Sequence, residues 1–303
     1  MEKQNRRNFL KSAGLLTATI AGVSTKTAKA APENILSEDR MGVLVDTTAC
    51  IGCRNCEWAC KEAHGIPAGD INSYEDKSVF KQMRRPSGNS LTVVNQYENE
   101  KMINNPINVK VQCMHCDHPA CVSACIVGAF SKKENGSVIW DTDKCIGCRY
   151  CMVACPFQVP SFEYDKAIDP EIRKCDFCYE RTKEGKLPAC VEICPVEALT
   201  YGPRSELIKI AREKIKKFPD RYIDHIYGEH EVGGTSWLYL AGQDLTKSKA
   251  LPSLNNKPAP GVSESIQHGI FAYFVPPASL YALLAGIMWL NKKKKENSSR
   301  GEE

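Results

Sequence analysis

Several features that usually announce a function are scarce in this 303-residue chain. It has no strong charge of either sign: 40 lysines and arginines against 36 aspartates and glutamates leave a formal +4. Even that excess sits at the ends. Residues 1–30 hold six basic residues and one acidic, and residues 291–303 hold five basic and three acidic, so the stretch between is left at about −3. Nucleic-acid binding, which wants a basic face, is excluded on that balance. Histidine is scarce, six in all. No nucleophile paired with a base and no open metal site is legible, so the sequence offers no substrate chemistry and no catalytic residue. Charge-free runs are rare too, and the longest contains the 22 residues 269–290.

What the chain does have is cysteine. Sixteen fall into four blocks with none left over: Cys50-x2-Cys53-x2-Cys56-x3-Cys60, Cys113-x2-Cys116-x4-Cys121-x3-Cys125, Cys145-x2-Cys148-x2-Cys151-x3-Cys155 and Cys175-x2-Cys178-x11-Cys190-x3-Cys194. The first and third have the bacterial ferredoxin spacing, in which three cysteines grip one cluster and the fourth reaches across to a second. Four ligands in each of four blocks can hold four 4Fe-4S clusters with no spare thiol. Zinc could absorb sixteen thiolates as four structural sites, but it does not need three cysteines at two-residue intervals followed by a fourth. Disulfides suit an exported chain, yet runs this dense would force strained short loops. The spacing favours clusters over both.

The two ends read as targeting and anchoring. Asn5-Arg6-Arg7-Asn8-Phe9-Leu10-Lys11 precedes the moderately apolar stretch Ala13 to Val23, and Ala28-Lys29-Ala30 follows as a small-x-small cleavage pattern. Residues 1–30 are therefore expected to be a twin-arginine signal peptide, a route for folded proteins that suits cofactors inserted before export. A helix over 269–290 would span roughly 33 Å, enough for a bilayer core. Lys292 to Lys295 follow at once, and the positive-inside rule puts this tail, 291–303, in the cytoplasm. The expectation is a single-pass protein on the periplasmic side of the inner membrane.

All cysteines lie within residues 42–202, which show an internal repeat. Val43-Leu44-Val45-Asp46 precedes the first block and Val138-Ile139-Trp140-Asp141 the third, each leading into Cys-Ile-Gly-Cys-Arg. Gly52 and Gly147 allow the backbone to fold closely round a cluster and aim N–H groups at sulfur. Val127-Gly128-Ala129-Phe130 and Val196 to Tyr201 look like the helix end and returning strand of a ferredoxin half. Residues 70–110 are polar with one strand-like run, Leu91 to Val94, and read as a linker or a partner-facing insertion. Residues 205–217 predict an amphipathic helix with Ser205 as N-cap and Leu207, Ile208, Ala211 and Ile215 on one side. Trp237 to Leu240 reads as a strand, and 244–268 as an irregular segment running to the membrane. The fold class is α+β: two two-cluster ferredoxin-like modules, a C-terminal extension over 203–268, and one transmembrane helix.

The blocks CIGCRNCEWAC, CMHCDHPACVSAC, CIGCRYCMVACPFQVP and CDFCYERTKEGKLPACVEICP resemble the four-cluster ferredoxin subunit of the molybdopterin-oxidoreductase and membrane-hydrogenase families. The later pieces IYGEHEVGGT and SESIQHG resemble a narrower group, the HybA-type subunit of periplasmic nickel–iron hydrogenases, which also has a twin-arginine signal and a C-terminal helix. Formate dehydrogenase beta subunits share the anchor and a similar VGGT segment but usually lack the signal.

The resemblance implies a nested wiring. Cys50, Cys53, Cys56 and Cys194 would hold the first cluster, and Cys60, Cys175, Cys178 and Cys190 the second. Cys113, Cys116, Cys121 and Cys155 would hold the third, and Cys125, Cys145, Cys148 and Cys151 the fourth. Residues 42–65 with 170–202 then form an outer module, and 108–165 an inner one. Ile126 stands where ferredoxins often place proline, which removes no ligand. The implied role is electron transfer between a periplasmic catalytic subunit, hydrogenase-type or molybdopterin enzyme, and an integral membrane quinone-reactive subunit. His64, His115 and His118 sit near cluster cysteines and are read as packing or hydrogen-bonding groups. Arg54, Arg149 and Lys144 could raise potentials or equally be exposed charges.

Overall fold

The computed structural model describes residues 40–100, 105–168, 170–261 and 279–290. The expected signal peptide, the tail 291–303 and residues 269–278 of the expected span lie outside them.

At the centre is β1 (Met41–Asp46). Its neighbours come from far along the chain: β8 (Leu199–Pro203) runs antiparallel on one side and β10 (Trp237–Leu240) parallel on the other, with β9 (Ile226–Tyr227) antiparallel beyond it. Successive side chains in a strand point to opposite faces. Val43, Val45, Trp237 and Tyr239 accordingly enter one core, shared with Phe177, Met114 and Cys190, while Leu44, Leu238 and Leu240 enter another. Both faces are covered, so β1 reads as a continuous apolar run.

The second face is covered by the longest helix in the range 40–261, α6 (Arg204–Lys217). Leu207 and Ala211 are buried on its inner side, with Ile208 and Ile215 packed beside them. The expected cap is not used. The helix starts one residue earlier, after Pro203 and with no side-chain cap, so Ser205 lies inside the first turn. Pro203 and the end of β8 already fix the chain's direction there, leaving the serine nothing to do at the terminus.

Five shorter helices stand among the cysteine blocks: α1 (Asn55–Ala63), α2 (Ala120–Ser123), α3 (Tyr150–Ala154), α4 (Tyr179–Lys183) and α5 (Ala189–Glu192). Cys56, Cys60, Cys121, Cys151 and Cys190 lie on them, and the other cysteines in the adjoining loops. α1 packs on α5, and α2 on α3. Three two-stranded ribbons lie between them: β2 (Val93–Tyr97) with β3 (Ile107–Val111), β4 (Phe130–Lys132) with β5 (Val138–Trp140), and β6 (Ser161–Phe162) with β7 (Ile172–Arg173). The first ribbon is neither a linker nor a surface insertion. Tyr97 and Val109 sit in the main core, and the polar residues Asn95, Asn108 and Lys110 are buried as well.

Residues 279–290 form a helix exposing Leu280, Tyr281, Met288 and Trp289. At 1.5 Å per residue these twelve described residues span about 18 Å. Among the described residues no helix is long and apolar enough to cross a membrane.

Candidate metal centres

Each cysteine block is shaped by backbone that an ordinary residue avoids. After β1 the chain turns through Cys50-Ile51-Gly52-Cys53 with φ +68° at Gly52 and +67° at Arg54, then enters α1. The third block repeats it, with φ +69° at Gly147 and +60° at Arg149 before α3. Gly52 is required for a second reason: a Cβ there would stand 2.4 Å from Asn108 Oδ1, whose amide holds the loop by donating from Nδ2 to the Cys50 carbonyl at 2.9 Å. Cys56 and Cys60 lie one helical turn apart on α1 and so face the same side. α5 supplies Cys190, and Cys194 follows just past its end.

All sixteen cysteines are free thiols. Within each predicted set, sulfurs lie near enough to act on one another's charge. Cys50 feels Cys194 and Cys53, and Cys56 feels Cys50. Cys60 acts on Cys175, Cys178 and Cys190. Cys116 feels Cys155, Cys113 and Cys121, and Cys151 feels Cys148, Cys145 and Cys125. Contacts between sets follow one order: Cys56 with Cys190 joins first to second, Cys175 with Cys113 second to third, and Cys121 with Cys151 third to fourth. The sets therefore form a row.

Burial is the main reason that Cys56, Cys116, Cys151, Cys175 and Cys178 resist ionising, with neighbouring sulfurs adding to it; Cys151 and Cys178 are each pushed up to about 12. Packed thiolates without a positive partner would be costly here, so the donor sets suit a group that supplies iron charge. Backbone N–H groups are already aimed at sulfur. Ala129 donates to Cys125 Sγ at 3.2 Å and Phe177 to Cys175 Sγ at 3.4 Å, while Gly52 serves Cys50 and Val159 serves Cys155. A small cavity lies inside the first set, lined by its four cysteines together with Val45 and Lys110. Four cysteines per set with N–H···S bonds are what a 4Fe-4S cluster takes.

The other sequence candidates resolve as follows. His64 lies within contact of Cys60. Burial would push it down, but the Asp176 carboxylate at 2.8 Å, with Cys60 assisting, holds it up at about 11. His115 is wholly buried and kept neutral by burial and by Lys174, Lys132 and Lys110; its Nδ1 accepts from the Val138 N–H at 2.8 Å. His118 is exposed. Arg54 is buried but turned to Glu57 and the Tyr74 ring. Arg149 lies over Phe162, and Lys144 is an exposed partner of Asp141.

Three buried lysines carry the positive charge near the sulfurs, and sequence reasoning missed them. Lys110 is flanked by the first two sets, Lys174 by the second and third, and Lys132 lies against Cys116 and Cys113. One signal was available: Lys110 and Lys174 stand three and one residues before the first cysteine of blocks two and four, each among strand-like residues.

The family described as the 4Fe-4S dicluster domain matches residues 107–204. A protein of Nitratidesulfovibrio vulgaris is 50% identical over 262 residues, covering 86% of this chain and 70% of its own. The hydrogenase-2 operon protein HybA of Escherichia coli O157:H7 is 35% identical over 97% of this chain and 96% of its own length. The iron–sulfur subunit of the nitrate-inducible formate dehydrogenase of Escherichia coli K12 is 33% identical, over 65% of this chain and 66% of that one.

Proposed function

The chain belongs to the family of the hydrogenase-2 operon protein HybA, and on that premise we propose that it is the electron-transfer subunit of a periplasmic nickel–iron hydrogenase complex. Four 4Fe-4S clusters would be held by the four cysteine sets as grouped above. When bound, such a cluster supplies one-electron redox chemistry. The protein contributes the place, the sulfur ligands and the electrostatic surroundings. The observation that carries this reading is the row of sets, joined by Cys56–Cys190, Cys175–Cys113 and Cys121–Cys151. A row has two ends, which suits a chain placed between a catalytic subunit and a membrane quinone-reactive subunit.

HybA is matched across nearly its whole length, including the segment beyond the cysteines, whereas the formate dehydrogenase subunit is matched over about two thirds. That breadth favours the hydrogenase type. The uncharged run 269–290 and the exposed Leu280, Tyr281, Met288 and Trp289 within it support a membrane anchor. Arg6-Arg7 and Ala28-Lys29-Ala30 support twin-arginine export.

The test is anaerobic purification of the tagged chain from native membranes in mild detergent, with viologen reduction assayed using hydrogen and, separately, formate. Co-eluting hydrogen-dependent activity is the expected result. Formate-dependent activity without hydrogen oxidation would transfer the chain to a molybdopterin enzyme.

A further inference from the structure

A buried ammonium without a carboxylate partner is costly, because its hydration is lost and nothing of opposite charge replaces it. Lys110 is 2% exposed. Its Nζ donates to Gln112 Oε1 at 3.0 Å and lies 4.4 Å from the centre of the Trp237 ring. Both partners are neutral. Lys110 lines the same cavity as Cys50, Cys53, Cys56 and Cys194 of the first set, and the negative groups whose charge reaches it are Cys56 of that set and Cys190, Cys175 and Cys60 of the second. Lys174, 7% exposed, repeats the arrangement one junction on. Its Nζ donates to the Val138 and Cys175 carbonyls, and its charge reaches Cys113 and Cys121 of the third set and Cys175 of the second, with the Asp176 carboxylate adding a smaller share.

Lys132 is the contrast. It has a carboxylate, Asp117, at 3.9 Å and three carbonyls on its Nζ, from His115, Cys116 and Gly136. The fourth set has no buried lysine of this kind among the described residues; Lys144, next to Cys145, is turned outward to Asp141 at 2.7 Å.

We propose that Lys110 is a positioning residue for electron transfer: a fixed positive charge shared by the first and second cysteine sets that raises the reduction potential of both occupants, with Lys174 doing the same for the second and third. The inference rests on the four-cluster reading above. Reduction adds one negative charge to a site, and a nearby cation in a poorly solvated interior stabilises that added charge. One lysine between two sites raises both together, so the step from one to the next stays shallow while the pair is easier to reduce. A lysine confined to a single set would instead offset it from its neighbour.

The experiment is an EPR-monitored redox titration of the intact protein and of its Lys110→Met and Lys174→Met variants, with iron and sulfide counted first. About sixteen iron atoms per chain, four per cluster, are required of the wild type; a lower count overturns the four-cluster reading and, with it, this proposal. In loaded Lys110→Met, two clusters should show at least a tenfold fall in the reduced-to-oxidised ratio at fixed potential, about 59 mV for one electron, with the other two little changed. Lys174→Met should move two clusters, one of them in common with the first variant. Unshifted potentials in fully loaded variants overturn the proposal. So does loss of clusters from both variants, since that assigns the lysines to assembly instead.

Discussion

Arg204, at the start of α6, holds the loop 228–235, and its removal has a calculable cost. The side chain is 9% exposed, and its guanidinium donates to three backbone carbonyls: Thr235 at 2.7 Å, Glu229 at 2.8 Å and Gly228 at 3.1 Å. Gly228 O also accepts from the Thr235 N–H at 2.9 Å, so it would remain partnered in Arg204→Met. Thr235 O and Glu229 O take their hydrogen bonds from the arginine. Leaving each unsatisfied costs about 1–3 kcal/mol, a total near 4 kcal/mol. The loop so held leads directly into β10, whose first residues donate to Met114 O in the second cysteine block: Ser236 N at 3.2 Å and Trp237 N at 3.3 Å. The loss should therefore appear as local opening of 226–240. Hydrogen exchange by mass spectrometry on peptides from that segment is the assay. At about 1.4 kcal/mol per decade, protection should fall roughly a thousandfold. Arg204→Lys should not restore it, because a single ammonium cannot span carbonyls that a planar fork serves together. Protection in Arg204→Met within tenfold of wild type would refute the reasoning.

Two further outcomes are expected. Asp46 is opposed by burial, but hydrogen bonds from Thr48, Tyr222 and Lys214 hold its carboxyl below the ordinary value of 3.8. Its stabilisation is thus complete above the unfolded pKa, about 3.9, and is lost as pH falls through the lower folded value; Asp46→Asn should lose less stability than wild type between pH 5 and 3 in urea titrations. Gly52→Ala and Gly65→Ala both place alanine at a positive φ, +68° and +62°, but only the first meets a neighbour, Asn108 Oδ1 at 2.4 Å, the other having open space. Gly52→Ala should lose about a quarter of its iron, one cluster in four, while Gly65→Ala keeps its full complement; equal iron in both would show that the close approach is unimportant.

Where local pattern and tertiary placement agree, the sequence was readable. Val43 to Asp46 and Val138 to Trp140 form the expected strands because short apolar runs before an acidic turn have few alternatives. The apolar side of α6 follows from its 3.6-residue period. The β2–β3 ribbon was opaque for the opposite reason, since its polar composition conceals burial. Asn95 exchanges hydrogen bonds with the Arg84 backbone, Asn108 holds the Cys50 carbonyl and Lys110 faces sulfur, so each is satisfied by groups remote in sequence. The same remoteness hid Glu57, which accepts from Arg84, Arg54 and the Val94 N–H and so joins α1 to that ribbon. The parallel pairing of Val43 with Trp237 leaves no local mark at all.

That pairing also sets a timetable. β1 leaves the ribosome early, but its partners β8 and β10 follow only after all four cysteine blocks have been made. Cys50 and Cys194, which act on one another's charge in the fold, also meet only then. Contacts of such long sequence separation form slowly, because a long loop has to close before any of them is rewarded. The central sheet is therefore finished only after every cysteine has left the ribosome, when Trp237 to Leu240 can pair with β1.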